Sequence, residues 1–382
     1  MNRIHFIVNF LILAIMTTQP NAIAQDLLYV GTYSDRGSEG IYVLEFDRET
    51  GKLSERQTVE DKDSPSFLTI HPNGKYLYAV YREGKDADDQ HGTVTAFAID
   101  PKDGRLRKLN ERSSEGAGPC HVSVDPDGKL VYVSNYGEGN LAVYPVGSDG
   151  KLGEASDVVQ HTGGSVNPDR QQEPHMHSMI PSENGGVIYA SDLGIDKIML
   201  YEPDRGSGKL SEATPSFAAS APGAGPRHFA LHPSGAWAFS IEELSSTIAA
   251  YKVDQSTGSL ERVDRVTTLP KGASADGNST ADIHVSPDGK FVYGSNRGHD
   301  SIVIYAVDAS TGKLTYVGNQ PTGGKHPRNF CMDDQGEFMW VANRDTDNVV
   351  VFRRDADTGK LTPTGNEIKV PLAVCVQQLR LP

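Results

Sequence analysis

Residues 226–244 read PRHFALHPSGAWAFSIEEL. A short apolar run enters a His-Pro-Ser-Gly turn and leaves as an aromatic run, the pattern of two antiparallel strands joined by a tight turn. The pattern recurs as PSFLTIHPNGKYLYAVYR (65–82), PCHVSVDPDGKLVYVSNY (119–136), PHMHSMIPSENGGVIYASDL (174–193), TADIHVSPDGKFVYGSNR (280–297) and PRNFCMDDQGEFMWVANR (327–344). From the start of each copy to its aromatic (Tyr78, Tyr132, Phe239, Tyr293, Trp340) is thirteen residues; in the third copy, ending on Tyr189, it is fifteen.

Between these copies runs a second signature: DRETGKL (47–53), DPKDGRL (100–106), GSDGKL (147–152), PDRGSGKL (203–210), DQSTGSL (254–260), DASTGKL (308–314) and DADTGKL (355–361). Asp opens such a turn by bonding its own backbone, and Gly takes the positive-φ position before the next strand. No block carries helical periodicity. A period of about fifty residues with about four strands in each is the mark of a β-propeller. The ends set the blade number. PLAVCVQQL (371–379) reads as a first strand with nothing after it, and LLYVGTYSDRGSEGIYVLEFDRETGKL (27–53) as a second and third strand with no first. Joined, they close the ring and leave no open sheet edge. The sequence thus predicts an all-β fold, a seven-bladed propeller of four-stranded antiparallel blades whose last blade is shared by both termini.

The first 24 residues stand apart. Arg3 supplies an early positive charge, residues 6–16 are an apolar run, and Ala22 and Ala24 give a cleavage pattern. This predicts a secretory signal over 1–24, cut after Ala24, with one propeller domain over 25–382. The run is too short to span a membrane, so the mature chain is expected in the periplasm or secreted. Net charge is −14 for the whole chain, which disfavours a nucleic-acid surface or attraction to anionic lipid. Three cysteines with no CxxC spacing give no disulfide framework or thiolate zinc site; one Cys331–Cys375 bridge is conceivable, beside the plainer reading of three buried thiols. A ring closed by both termini is expected to stand as a monomer.

Propeller geometry places the start of each first strand and the end of each second strand at one mouth of the channel, and the turns at the other. One residue after the starts come Ser66, Cys120, His175, Arg227, Ala281, Arg328 and Leu372; three after come Leu68, Val122, His177, Phe229, Ile283, Phe330 and Val374. Four after the aromatic come Tyr33, Arg82, Tyr136, Leu193, Glu243, Arg297 and Arg344. That last column has no structural consensus, yet most of it can hydrogen-bond or carry charge, which marks a site rim. His177, Arg227, Glu243 and Arg297 come from three successive blades and converge. Each has a plainer reading: a buried hydrogen-bonded His, or Arg in ion pairs with Glu242, Glu243 or Asp345. His175 with His177 lacks a carboxylate to complete a metal set, the GAG at 223–225 has neither helix nor Lys to make a phosphate loop, and no GxSxG nucleophile pattern occurs. No metal or cofactor is expected.

The motifs GTY (31–33), PHMH (174–177), GAGPRHFALHP (223–233), ELSS (243–246) and ADIHVSPDGKFVYGSNRGHDSI (281–302) resemble the seven-bladed propeller lactonases, that is, the propeller-type 6-phosphogluconolactonases and the carboxy-muconate lactonizing enzymes. The likeness covers essentially the whole mature chain. It implies a hydrolase acting on a small-molecule lactone or sugar acid, with His177, Arg227, Glu243 and Arg297 catalytic, and it places His175 less securely. Tyr33, Arg82, Tyr136 and Arg344 follow from the rim as substrate-binding residues, and His175 is expected to bind substrate with them. An export signal departs from the cytosolic setting of a phosphorylated sugar lactone, so the lactone ring is the part of the inference that carries over. The alternatives are a propeller that binds sugar acids or a protein without chemistry, and a ring-forming cycloisomerase of the muconate type.

Overall fold

In this computed structural model the described residues are 25–61, 63–82 and 91–381; the signal reading over 1–24 lies outside them. They form seven four-stranded antiparallel sheets, the blades of a propeller. Six blades are continuous in sequence. The seventh pairs Ala373–Leu381 with Gln25–Thr32, which continues into Gly40–Asp47 and Lys52–Glu60, so the two ends of the chain close the ring. Among the described residues a single short 3₁₀ turn, Asp35–Gly37, interrupts the β structure, and no helix is long and apolar enough to cross a membrane.

Both repeat signatures prove to be blade-to-blade joints. In four blades the aromatic of the first signature bonds the turn of the next blade, whereas the Tyr132 hydroxyl and Trp340 Nε1 have no partner among the described residues. Tyr29 Oη donates to the Gly104 carbonyl at 2.8 Å, Tyr78 to Gly150 at 3.1 Å, Tyr189 to Gly258 at 2.9 Å and Tyr293 to Gly359 at 2.8 Å. Trp237 Nε1 makes the equivalent bond to Ala309 at 3.1 Å. Glycine is required in these turns for two reasons. Gly312 has φ +69°, and a Cβ there would stand 2.3 Å from Trp237. The HP turns act alike: His71 Nε2 meets the Gly128 carbonyl and His232 Nε2 that of Gly289, each at 2.9 Å. Between neighbouring blades the inward side chains form separate apolar clusters, one of them built on Phe239, Ile241, Ile248 and Val292; burial of each such side chain contributes roughly 1.5–3 kcal/mol.

Register corrects two of the column assignments. In the third copy the aromatic Tyr189 faces Ile180, and in the closing blade Tyr29 faces Gln377. The equivalent facing residue elsewhere lies four places after the start, as Ala230 does opposite Phe239. The first strands of these two blades therefore begin at Met176 and Ala373, two residues later than the Pro174 and Pro371 that the sequence suggested. His177 and Val374 move into the column of Arg227 and Arg328, while His175 and Leu372 leave it. The three thiols are free, so the Cys331–Cys375 bridge is not formed.

Candidate active site

The seven first strands share one irregularity. Pro226 pairs with Glu242 and His228 with Ile241, leaving Arg227 as a β-bulge. The same shift isolates Ser66, Cys120, His177, Arg328 and Val374, and falls between Thr280 and Ile283 in the fifth full blade. A bulge re-aims a side chain that regular pairing would turn into the sheet stack. Here it sends Ser66, Cys120, His177, Arg227, Arg328 and Val374 to the channel mouth. The loop before Arg227 is fixed for the same purpose: Gly223 and Gly225 donate their amides to the two carboxylate oxygens of Asp196 at 2.7 Å each. Gly225 has φ +66°, and a Cβ on it would lie 2.7 Å from Leu244.

A cavity of about 180 Å³ opens at this mouth, walled by Arg82, Cys120, Tyr136, Arg170, His177, Glu243, Arg297 and Arg328. A narrow extension past Arg82, Cys120 and Arg328 is lined by Tyr33, Ser66, Arg227 and His228. Glu243 is the organising charge. Its Oε2 accepts from Arg227 Nε at 3.0 Å and pairs with Arg297 Nη2 at 2.9 Å, and its Oε1 accepts from Arg170 Nη2 at 2.7 Å. Burial acts to raise its carboxyl, but Arg297, Arg227 and Arg170 outweigh burial and hold it far below the usual carboxylate range. Glu243 is thus a very weak base and a strong anchor.

The anchored arginines each keep a free donor. Arg227 commits Nη1 to the Ala281 carbonyl and to His228 Nε2. Arg297 commits Nη2 to Glu243 and to the Thr280 carbonyl at 2.5 Å. Arg227 Nη2 and Arg297 Nη1 have no partner among the described residues, and Arg297 Nε is buried without one. His177 places Nδ1 3.7 Å from the Cys120 sulfur, and its Nε2 is likewise unpartnered among the described residues. Burial first, and then the charge of Arg227, push the imidazole well below 6.5, so it is neutral. The Cys120 thiol is pushed up to about 11 by burial, which leaves it a poor nucleophile.

The remaining predicted residues divide. The Arg82 and Arg328 guanidinium carbons stand 5.7 and 5.4 Å from the Tyr33 ring centre, and Arg82 Nη1 donates to Tyr33 Oη at 3.4 Å. Burial raises the Tyr33 phenol, but Arg328, Arg82 and Arg227 prevail and hold it below its ordinary value. Tyr136 Oη accepts from Arg170 at 3.1 Å, and its ring stacks on His175 at 4.4 Å. His175 is a backing residue: its Nδ1 donates to the Tyr136 carbonyl at 2.9 Å, and it does not line the cavity. Arg344 turns away to Asp345 at 2.7 Å and does not line it either. Asn278, of the NST sequon at 278–280, commits its amide to Ser246 and Asn296.

Arg170 escaped the sequence reading because it belongs to no repeat. It lies between the strands Asp157–Gln160 and Met176–Pro181, in a stretch with no strand of its own. A long irregular stretch on the site face was the available signal. Arg328 and Cys120 stand in the right column, but column position alone does not single them out. Among the described residues no group of His, Cys, Asp and Glu is arranged to hold a metal ion.

Comparison with known proteins agrees with this architecture. Residues 27–378 match the family described as lactonase, 7-bladed beta-propeller. A 6-phosphogluconolactonase of Bacillus subtilis is 38% identical over 306 residues, 80% of this chain and 84% of that protein. A putative 6-phosphogluconolactonase of Bacteroides fragilis superposes with TM-score 0.86 at 35% identity, over 95% of this chain and 100% of the other. The periplasmic gluconolactonase of Pseudomonas aeruginosa gives TM-score 0.88 at 31% identity, over 94% of this chain and 100% of that one. With its blades, its termini and its bulged first strands all of one plan, the chain belongs to the seven-bladed β-propeller lactonase family.

Proposed function

We propose that this protein hydrolyses a sugar lactone by direct attack of water, with His177 as the base and Arg227 and Arg297 as oxyanion donors. The observation that carries the reading is the division of labour around Glu243: one carboxylate holds three guanidinium groups, and two of them, Arg227 and Arg297, keep an uncommitted nitrogen. A carboxylate held so far down does not serve as a base, which leaves the unpartnered Nε2 of His177.

Water in the cavity gives a proton to His177 Nε2 as its oxygen bonds to the lactone carbonyl carbon. The carbonyl oxygen becomes an oxyanion facing Arg227 and Arg297. Collapse breaks the bond to the ring oxygen, which takes the proton back from His177, and the product is a hydroxy acid. The low basicity of His177 in the resting site suits this sequence, because the oxyanion supplies the negative charge that an imidazolium needs. Five arginines (Arg82, Arg170, Arg227, Arg297, Arg328) against one Glu243 around the cavity and its narrow extension favour a lactone that bears, or becomes, an anion. Gluconolactones, plain or phosphorylated, are the substrates that the names of the relatives suggest. The reading of residues 1–24 as a signal puts this activity outside the cytoplasm, in a monomer.

The test is acid release in a pH-stat from glucono-δ-lactone and 6-phosphogluconolactone, above their spontaneous opening, with wild type beside His177→Ala. A base contributes about 10²–10⁴-fold, so loss of that order is expected. No release by wild type from either lactone sinks the proposal.

A further inference from the structure

The site is wired to the centre of the channel through a residue that the reaction does not use directly. His228 follows Arg227 in the strand Pro226–Leu231 and is buried. Its Nε2 lies 3.1 Å from Arg227 Nη1, and its Nδ1 lies 2.6 Å from Asp282 Oδ1. Asp282 is itself saturated. Oδ1 also accepts from the Ile283 amide at 3.0 Å, and Oδ2 accepts from His284 Nε2 at 2.9 Å, Asn329 Nδ2 at 2.6 Å and the Phe330 amide at 3.1 Å. Asn329 Oδ1 in turn accepts from the amide of Val376, in the strand that closes the ring, at 2.7 Å. Four blades are thereby tied to one carboxylate.

These contacts dictate a tautomer. An ionised carboxylate only accepts, so the hydrogen of a neutral His228 sits on Nδ1. Its Nε2 is then a bare lone pair, the one arrangement that can accept from Arg227. A charged His228 would set an N–H against the guanidinium instead. Burial, followed by the charge of Arg227, pushes the imidazole down to about 4, in keeping with the neutral form. The geometry of Arg227 follows. Its Nε hydrogen goes to Glu243, and both Nη1 hydrogens are taken by Ala281 and His228. With the guanidinium plane pinned at two nitrogens, Nη2 alone is left without a partner among the described residues, on a side chain that lines the narrow extension of the cavity.

We infer that His228 and Asp282 are positioning residues, which hold Arg227 so that Nη2 faces the lactone carbonyl. This rests on the hydrolytic reading above and adds to it the parts that set the direction of the oxyanion donor. Neither residue lines the cavity of about 180 Å³, and their effect on the lactone passes through Arg227. Preorganised donors matter because they need no reorientation as charge develops, and the fixing of an imidazole tautomer by a buried carboxylate is an established way to set such a direction.

The experiment uses the full mature protein and three variants, Asp282→Asn, His228→Leu and His228→Gln. The first readout needs no turnover: ¹⁵N NMR of the histidine rings at pH 7. The expected wild-type result is His228 with the proton on Nδ1, and a change of tautomer in Asp282→Asn. A doubly protonated or Nε2–H His228 in wild type overturns the inference. The second readout is glucono-δ-lactone hydrolysis per folded molecule. Asp282→Asn and His228→Leu are expected to lose on the order of 10²-fold in kcat, with KM changed by less than about threefold. His228→Gln, which offers an oxygen near the lost Nε2, is expected to recover about tenfold of that loss. Equal losses in His228→Gln and His228→Leu, or a lowered melting temperature with kcat unchanged, overturn the positioning role. If wild type opens no lactone at all, the hydrolytic reading fails, while the NMR result still decides whether Asp282 sets the tautomer.

Discussion

Arg170 donates to Glu243 at 2.7 Å from a stretch of chain that no repeat predicts. Arg227 and Arg297 reach the same carboxylate from blade strands. Two of the three guanidinium groups are thus part of the propeller, and the third is brought by an insertion between blades. The first two are buried with Glu243, whereas the Arg170 side chain is 42% exposed. The distinction separates what Glu243 does for the fold from what Arg170 does for the cavity.

Replacing Glu243 by Gln leaves Arg227 and Arg297 facing each other without a counter-charge. Removal of one partner from a buried pair costs about 3–5 kcal/mol, and both arginines lose the anchor that aims them. A drop of that size in urea denaturation is expected, together with loss of lactone hydrolysis. Arg170→Ala is expected to leave stability within about 1 kcal/mol, as for other partly exposed ion pairs, and to act mainly on kcat/KM. Comparable destabilisation in the two variants would contradict this division.

The rate should report a neutral His177. Because burial and Arg227 hold its imidazole well below 6.5, the acid limb of kcat/KM is expected to be absent at the ordinary histidine range. A flat profile between about pH 5.5 and 8 is the prediction, with the fall beginning at lower pH. A limb centred near 6.5 would mean that the base is a solvated imidazole and not this one.

Stability should show a different window. His228 is held at about 4 in the folded chain against 6.5 in the unfolded chain. Between those values the unfolded chain binds the extra proton, so stability rises with pH there and is lost as pH falls from 6.5 toward 4. The size for His228 is on the order of 3 kcal/mol, from about 1.4 kcal/mol per unit. His284 runs the other way: burial acts to lower it, but Asp282 prevails and raises it above 6.5. It is protonated in both states through that window and does not offset the loss. His121, His177 and His326 are pushed down as well and contribute in the same direction, so the His228 part is read by difference. Urea melts at pH 7, 5.5 and 4.5 are expected to show a steeper loss in wild type than in His228→Gln, and an equal pH dependence in the two proteins refutes it.

Much of this was legible in the sequence because propeller repeats are physical joints. The aromatic and the turn glycine recur because in four blades a tyrosine hydroxyl, of Tyr29, Tyr78, Tyr189 or Tyr293, bonds the glycine carbonyl of the next blade's turn, and the orphan strands at 27–53 and 371–379 had to meet. His177, Arg227, Glu243 and Arg297 were legible for the complementary reason, that they stand in columns at the channel mouth where no structural consensus dictates the residue and polar or charged side chains collect. The errors came from spacing. Two residues before Met176 belong to the preceding loop and not to the strand, so simple counting gives His175 a place that His177 occupies. Arg344 occupies a rim position, but Asp345 beside it captures its guanidinium, a local competition that column counting does not register. Arg170 lay beyond reach of any periodic argument. The bulge that aims Arg227 was equally hidden, because nothing in a strand's residue types marks where pairing slips by one.

The turn glycines allow a direct check on the joint. Gly312→Ala keeps the chain length and the polarity, yet asks alanine to adopt φ +69° and to place a Cβ 2.3 Å from the Trp237 ring. The backbone term alone costs about 1–2 kcal/mol, and a displaced Trp237 adds its packing loss. A total of at least about 2 kcal/mol is expected in urea denaturation. Gly365 offers the control: it has φ +82°, and a Cβ added there would meet no atom within 4 Å, so Gly365→Ala carries the backbone cost without the clash. If the two substitutions cost the same, the turn glycine is there for its backbone alone, and the contact with the aromatic of the preceding blade does not contribute to holding the ring.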